Sequence, residues 1–405
     1  MTSRRMARFC VLAAAMSIAE HCDAGVWGAQ PMIGVVGDYY TNPALISVAN
    51  AAESHGDLLL DAPTSYMGDA YKFSILPSFR LTDSQGYSLL DSNYEHLSIS
   101  NEFDTPRSSL VLTGSLARDS SLYHDYLLNG SSGVRRDSVL TDLTWSRQFT
   151  ERVELDTDVN WTRVLYGQAA GVATLTDYKY SSINPMLSWA QSERTKLNLS
   201  AGIGRYNALD GMTQSTNANL QAGLVRQVSE IWTLSASAGY SRAINRDNLT
   251  EDELEFTSAG IVVVPVPFTV KSTQNGSIYS FTLDRKTPLA TFTATASRQL
   301  APTGFAFLSR EELYELKASY TPTERWTISA DARRLTYDLP QGPNRSVNLT
   351  LDYLDLAAAW QWTEHWTATV TVTRVMERYV STDFGIDSSG VSIQISRQFD
   401  WKSFH

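Results

Sequence analysis

The sequence predicts an all-β fold: a transmembrane antiparallel up-and-down β-barrel of about eighteen strands, with short periplasmic turns and longer extracellular loops. Three observations carry that expectation. The first is a long hairpin over residues 350–379. Leu354, Leu356, Ala358, Trp360 and Trp362 alternate with Asp355, Ala357, Ala359 and Gln361. After the link Thr363-Glu364-His365, Trp366, Ala368, Val370 and Val372 alternate with Thr367, Thr369, Thr371 and Thr373. A two-residue period means strands with one apolar and one polar face, and tryptophans gather at the turn end of the apolar face, as they do where a strand leaves a bilayer.

The second observation is that this turn recurs. Thr150-Glu151-Arg152, Ser192-Glu193-Arg194, Ser229-Glu230-Ile231 and Thr323-Glu324-Arg325 each place a hydroxyl and a Glu just before a strand. The interval from Ser229 to Thr323 has room for one more hairpin, its turn at Lys286-Thr287-Pro288. A repeat of about 40 residues also fits a propeller blade, but each repeat here holds two long strands and one polar loop.

The third lies at the N-terminus. Arg4, Arg5 and Arg8 precede an apolar run from Phe9 to Ala19, followed by small residues. This is the layout of a secretory signal, expected to span residues 1–24 with cleavage after Ala24 or, alternatively, after Ala19. Cys10 and Cys22 would leave with it, so residues 25–405 would form the barrel without disulfides or thiolate metal sites.

Composition allows this reading and excludes others. The chain has 405 residues, 43% of them hydrophobic, with a formal charge of -10. No run reaches the 18 or so apolar residues of a spanning helix, but a barrel strand turns only alternate residues to lipid. The acidic balance leaves no basic patch for nucleic acid. No glycine-rich phosphate loop and no metal-ligand spacing occurs, so neither cofactor nor metal is expected.

In chain order, strands are expected near 32–41, 56–67, 70–82, 92–104, 108–121, 136–149, 153–166, 177–191 and 195–208. They continue at 214–228, 232–245, 276–286, 289–300, 309–320, 325–337, 348–362, 366–379 and 389–399. Alternation justifies the clearest of them: Leu197, Leu199, Ala201 and Ile203 against Asn198, Ser200 and Gly202; Phe292, Ala294 and Ala296 against Thr291, Thr293 and Thr295. The last strand sets Val391, Ile393, Ile395 and Arg397 against Ser392, Gln394 and Ser396, and Phe399 ends its apolar face as the expected insertion signal. Polar loops are expected at 129–135, 167–176, 209–214, 338–347 and 381–388. The longest connection, 246–275, opens acidic and continues through Val262-Val263-Val264-Pro265-Val266-Pro267. It reads either as a segment folded into the lumen or as two strands extended beyond the membrane.

Eighteen strands enclose a cylinder roughly 35 Å across, too wide for side chains to fill. The candidate lumen lining is Glu154, Asp156, Asp158, Thr291, Thr293, Thr295, Asp331, Thr367, Thr369 and Thr371. The interface aromatics are Trp232, Trp326, Trp360, Trp362 and Trp366. His96 and Ser98 share a strand face, an arrangement a barrel lipid hydrolase would use for base and nucleophile; lumen histidines are more often plain polar residues, and the expectation is a non-enzyme.

Several motifs in order resemble those of the outer-membrane β-barrels found alongside exopolysaccharide and exosortase (PEP-CTERM) gene clusters. They are Tyr39-Tyr40-Thr41-Asn42-Pro43, Ala117-Arg118-Asp119-Ser120-Ser121-Leu122, the turns at Thr150, Ser192 and Thr323, and Ala296-Ser297-Arg298-Gln299-Leu300-Ala301-Pro302-Thr303-Gly304. The resemblance implies a conduit in the outer membrane of a Gram-negative bacterium, inserted by the barrel-assembly machinery, passing a polysaccharide chain received from a periplasmic polysaccharide-export protein. The alternative is a general diffusion porin or a structural barrel. A sugar conduit should line its lumen with aromatics and hydroxyls; a porin should set basic against acidic residues at a constriction.

Overall fold

The computed structural model describes residues 25–42, 52–84, 93–120, 134–167, 175–257, 260–304, 308–340, 346–379 and 384–399. The expected signal segment 1–24 and the tail after Phe399 lie outside these residues, as do 129–133, 168–174, 341–345 and 381–383 of the expected loops. The rest of the last two, 338–340, 346–347 and 384–388, is not loop but continues the flanking strands.

Every regular element among the described residues is a strand. The first ten are β1 (Val26–Ala29), β2 (Met32–Tyr40), β3 (Glu53–Asp61), β4 (Thr64–Met67), β5 (Tyr71–Ser84), β6 (Tyr94–Thr105), β7 (Ser108–Ser120), β8 (Arg135–Thr150), β9 (Val153–Tyr166) and β10 (Tyr178–Ser192). The others are β11 (Thr195–Ala208), β12 (Thr213–Gln227), β13 (Trp232–Thr257), β14 (Gly260–Lys286), β15 (Ala290–Pro302), β16 (Leu308–Thr323), β17 (Trp326–Pro340), β18 (Ser346–Gln361), β19 (Trp366–Tyr379) and β20 (Phe384–Gln398).

From β5 onward each strand pairs antiparallel with the next, and β20 returns to β2 from Met32↔Gln398 to Tyr40↔Gly390, closing the sheet. At this seam the Tyr40 ring lies over Gly390, where a Cβ would fall 2.2 Å from the ring. Two staves are broken by proline. β1 and β2 are halves of one, parted at Gln30-Pro31, and β3 and β4 are halves of the next, parted at Ala62-Pro63. A proline cannot donate to a ladder, yet the amides of Gln30 and Ala62 still bond Pro63 O (3.0 Å) and Pro77 O (3.1 Å). The twenty elements therefore make eighteen staves, the number expected from the sequence.

The repeated hydroxyls have a physical role. Thr150 Oγ1 accepts from the amides of Arg152 (3.2 Å) and Val153 (3.1 Å), and Thr363 Oγ1 from those of His365 (3.4 Å) and Trp366 (3.2 Å). Ser192, Ser229 and Thr323 do the same for the amide two residues on, and Thr287 and Thr105 for the amide three residues on. A side-chain oxygen thus holds these seven tight turns at one end of the barrel, while the β4–β5 turn there is closed by the Gly68 amide on Tyr71 O at 2.9 Å.

The long connection 246–275 is not an irregular loop. β13 and β14 pair without interruption from Trp232↔Arg285 to Thr257↔Gly260. Pairing of β13 with β12 stops at Asp247 and of β14 with β15 at Tyr279, so beyond those points the two strands project as a ribbon. Pro265 and Pro267 face Asp252 and Thr250 in register. Having no N–H, both sit where the backbone points away from β13, which blunts the ribbon's free edge.

Register assigns the faces. Outward lie Val35, Ile203, Leu220, Ile328, Leu356, Val370, Val372 and Ile393, all large, apolar and exposed. An apolar exposed band on a closed wall is the lipid face of a membrane barrel. At the turn end Trp326 stacks on Trp360 (5.8 Å), Trp360 meets Trp362 (5.9 Å) and Trp362 stacks on Trp366 (5.9 Å). The Arg285 guanidinium lies over Trp232 at 5.6 Å. Trp326, Trp360, Trp362 and Trp366 thus form one continuous patch at the turn end, and Trp232 stands apart from it. Arg397 lies 5.6 Å from the Trp366 ring and 4.7 Å from the Phe399 ring, and the Phe399 amide bonds Pro31 O at 2.8 Å.

The faces predict a contrast between neighbours. Val370→Arg places a charge against lipid and should destabilise the folded barrel by about 2–4 kcal/mol. Thr371→Arg, facing the lumen, should cost far less. Urea titration of each variant refolded in lipid vesicles measures the difference.

Candidate pore lining and constriction

The inner face is the polar half of each alternation. Thr291, Thr293 and Thr295 of β15 face Lys286, Asp284 and Thr282 of β14, and Thr293 donates to Asp284 at 2.8 Å. Thr367, Thr369, Thr371 and Thr373 of β19 face Ser396, Gln394, Ser392 and Gly390 of β20. These rows form two hydroxyl stripes of the inner wall.

The carboxylates collect elsewhere. Glu154, Asp156 and Asp158 of β9 face inward beside Gln148, Ser146 and Thr144 of β8. Thr144 donates to Asp158 at 2.8 Å, and Asn160 to Asp142 at 2.5 Å. The cation paired with this row is Lys196, 3.6 Å from Glu154. On the opposite side Asp331 of β17 lies in register with Lys317 and Asp355. Lys317 reaches Glu315 at 2.8 Å and Asp331 at 4.0 Å, and Arg333 stacks 4.6 Å over Tyr353. A third group sits on β2, β3 and β5, where Arg80 binds Asp38 at 2.7 Å and also Asp57. Carboxylates clearly outnumber cations on the inner face.

The loop end of the lumen is narrowed by a segment to which sequence reasoning gave no such role. β15 leaves β14 after Arg298↔Tyr279 but continues with β16 to Pro302↔Leu308. The freed tip folds inward onto the wall of β9, β10 and β11. The Tyr206 hydroxyl donates to Thr303 O at 3.2 Å, and the Thr176 amide to Gly304 O at 2.8 Å. Leu308 packs with Val164, Tyr178, Tyr206 and Ala208, all nearly inaccessible to solvent. Gly304 suits this approach, because a Cβ there would fall 2.7 Å from the Tyr166 hydroxyl and the Tyr166 ring would have to shift. The Ala296–Gly304 motif noted in the sequence leads into this tip, and its Pro-Thr-Gly was the available signal. Farther round, Leu349 and Leu351 face inward at 1% and 0% exposure with Leu335 and Tyr379. The loop-end lumen there is packed with side chains, whereas the middle and turn end stay polar.

His96 and Ser98 face inward on β6, opposite Ala117 and Ser115 of β7, and the His96 ring stacks on Tyr94 at 6.1 Å. A lipid hydrolase needs base and nucleophile turned to the bilayer; register turns both to the lumen. The outward neighbours are Leu97 and Ile99.

Gly304→Val should push the β15–β16 tip off the β9–β11 wall and raise single-channel conductance in planar bilayers. Replacing residues 251–266 of the projecting ribbon with a short Gly-Ser turn should leave conductance unchanged. A rise with the second variant alone would assign the narrowing to the ribbon.

No family model matches the sequence, and no curated protein matches it. Solved structures similar to the barrel include the ferric citrate transporter FecA in the unliganded form (TM-score 0.49, 9% identity, covering 92% of this chain and 78% of that one). Others are Pseudomonas aeruginosa OpdK with vanillate (0.44, 12%, 92% and 99%) and Pseudomonas aeruginosa OpdQ (0.45, 12%, 95% and 100%). None carries an inference about what this barrel passes. The chain's own closed wall, apolar outer band and polar interior make it a membrane-spanning β-barrel of the outer-membrane type.

Proposed function

We propose that the chain is a diffusion pore of the outer membrane that favours cationic and neutral polar solutes. The observation that carries this is the inner wall: carboxylates predominate on it, and the Glu154–Asp156–Asp158 row has Lys196 as its one paired cation among the described residues. Carboxylates lining a confined aqueous path raise the local concentration of cations and exclude anions. The inward β15–β16 tip narrows the path and makes lining charge count. In planar bilayers under a KCl gradient, the reversal potential should show cation preference. The combined change Glu154→Gln, Asp156→Asn and Asp158→Asn should move the permeability ratio toward unity. Anion preference in the unaltered chain would overturn the proposal.

A second reading keeps the polymer conduit that the resemblance implied, with a periplasmic polysaccharide-export protein as partner. What favours it is the pair of inward hydroxyl stripes, Thr291-Thr293-Thr295 and Thr367-Thr369-Thr371-Thr373, whose weak, repeated hydrogen bonds suit a sliding sugar chain. Deleting the gene separates the two readings. Slowed uptake of small cations with normal surface polysaccharide supports the pore; lost surface polysaccharide with normal uptake supports the conduit.

Either role needs insertion, and Phe399 at the closing strand is the proposed handle for the barrel-assembly machinery. Phe399→Gln should lower the amount of barrel in the outer membrane several-fold, read by heat-modifiable gel migration of membrane fractions. Normal accumulation would remove Phe399 from that role.

A further inference from the structure

The outer face carries basic residues at the loop end, and they fall into two classes. On β7–β8 and β15–β18 each is neutralised within the sheet. Arg118 binds Asp137 at 2.8 Å, Arg298 binds Glu312 at 3.1 Å, and Arg334 binds Asp352 at 2.6 Å. On β9 through β14 the arrangement is different. Arg163, Lys179, Arg205, Arg242, Arg246 and Lys271 all point outward by register, and within those strands no described acidic side chain lies on the outer face. The carboxylate nearest by register, Asp177 just before β10, accepts the Tyr166 amide at 2.7 Å.

Two pairs among the six are direct cross-strand neighbours of like charge: Arg163↔Lys179 and Arg246↔Lys271. Like charges placed directly opposite destabilise a sheet. Lys179, Arg205 and Arg242 are exposed, while Arg163 is half-buried with its Nε shielded from solvent and lacking a hydrogen-bond partner. Among the described residues the Arg205 guanidinium donates to the neutral Asn207 side-chain carbonyl, at 3.2 Å. The location is as informative as the charge. Arg163 and Arg242 lie two residues beyond Trp161 and Tyr240, outward aromatics of the upper girdle, a step of about 7 Å along a strand. That step carries the chain from the aromatic belt into the headgroup layer. Arg246 and Lys271 continue the patch onto the projecting ribbon. The rest of the protein is acidic, so this uncompensated basic surface runs against the overall charge.

We infer that the outer face of β9–β14 is a binding surface for a phosphorylated lipid of the outer leaflet. Its acyl chains would lie along the apolar band below, beside Ile203 and Leu220, and its phosphates between the paired cations. A phosphate inserted between Arg163 and Lys179 turns a repulsive pair into two charge-assisted hydrogen bonds, and guanidinium forks on either side match phosphate oxygens.

The full barrel, purified in mild detergent, tests this by native mass spectrometry with three probes: a bis-phosphorylated glucosamine-disaccharide lipid, the same lipid dephosphorylated, and inorganic phosphate. The phosphorylated lipid should stay bound, with the dephosphorylated form roughly tenfold or more weaker. Combined Lys179→Gln, Arg205→Gln and Arg242→Gln should weaken binding to the same degree, while Arg334→Gln in the neutralised belt should not. Folding of each variant is checked by heat-modifiable migration. The two lipid forms on the unaltered chain decide the matter even where a variant fails to fold. Equal binding of both lipid forms would overturn the inference. Inorganic phosphate binding as tightly as the lipid would show a free-anion site instead and overturn the lipid assignment.

Discussion

Everything in this molecule follows from one constraint: in hydrocarbon, each backbone N–H and C=O must be satisfied by the chain itself, because no water is there to accept the difference. Closure of β20 on β2 meets it, since an open sheet would expose a row of unpaired groups to lipid. The same constraint explains how irregularities are tolerated. The breaks at Pro31 and Pro63 keep their neighbouring amides bonded across the gap. The β13–β14 ribbon carries free edges only past the level where β12 and β15 part from it, and prolines blunt one of them.

A wall one strand thick then has to present two chemistries, and the two-residue period separates them without any packing core between. On β19, Val370 meets lipid while Thr369 and Thr371, its chain neighbours, line the lumen. Charge is partitioned in the same way. Carboxylates predominate inside, on β8–β9 and β16–β18, and the uncompensated cations gather outside on β9–β14. On β9 itself Asp158 faces the lumen and Arg163 the outer side. The lumen's electrostatics and the wall's outer contacts are therefore two faces of the same strands, and a one-residue slip in register would exchange them.

Much of this was legible in the sequence, for reasons that are local. Alternation determined which side chains share a face, so the inward placement of Glu154, Asp156, Asp158 and the threonine rows, and the outward girdle at Trp326, Trp360 and Trp366, needed no tertiary information. The hydroxyl at the turns of Thr150, Ser192, Ser229, Thr323 and Thr363 was visible because an Oγ accepting from an amide two or three residues on is itself a local contact. The stave count followed from both. What alternation cannot show is where a strand loses its neighbour. β13 and β14 run on together past their outer neighbours and β15 parts from β14 at Arg298, so the described residues that fold inward are those at Thr303, Gly304 and Leu308. Nor can one strand reveal that Arg163 stands opposite Lys179, or that Tyr206 reaches Thr303 O. Those contacts depend on register and on curvature around the closed wall, which only the assembled barrel decides.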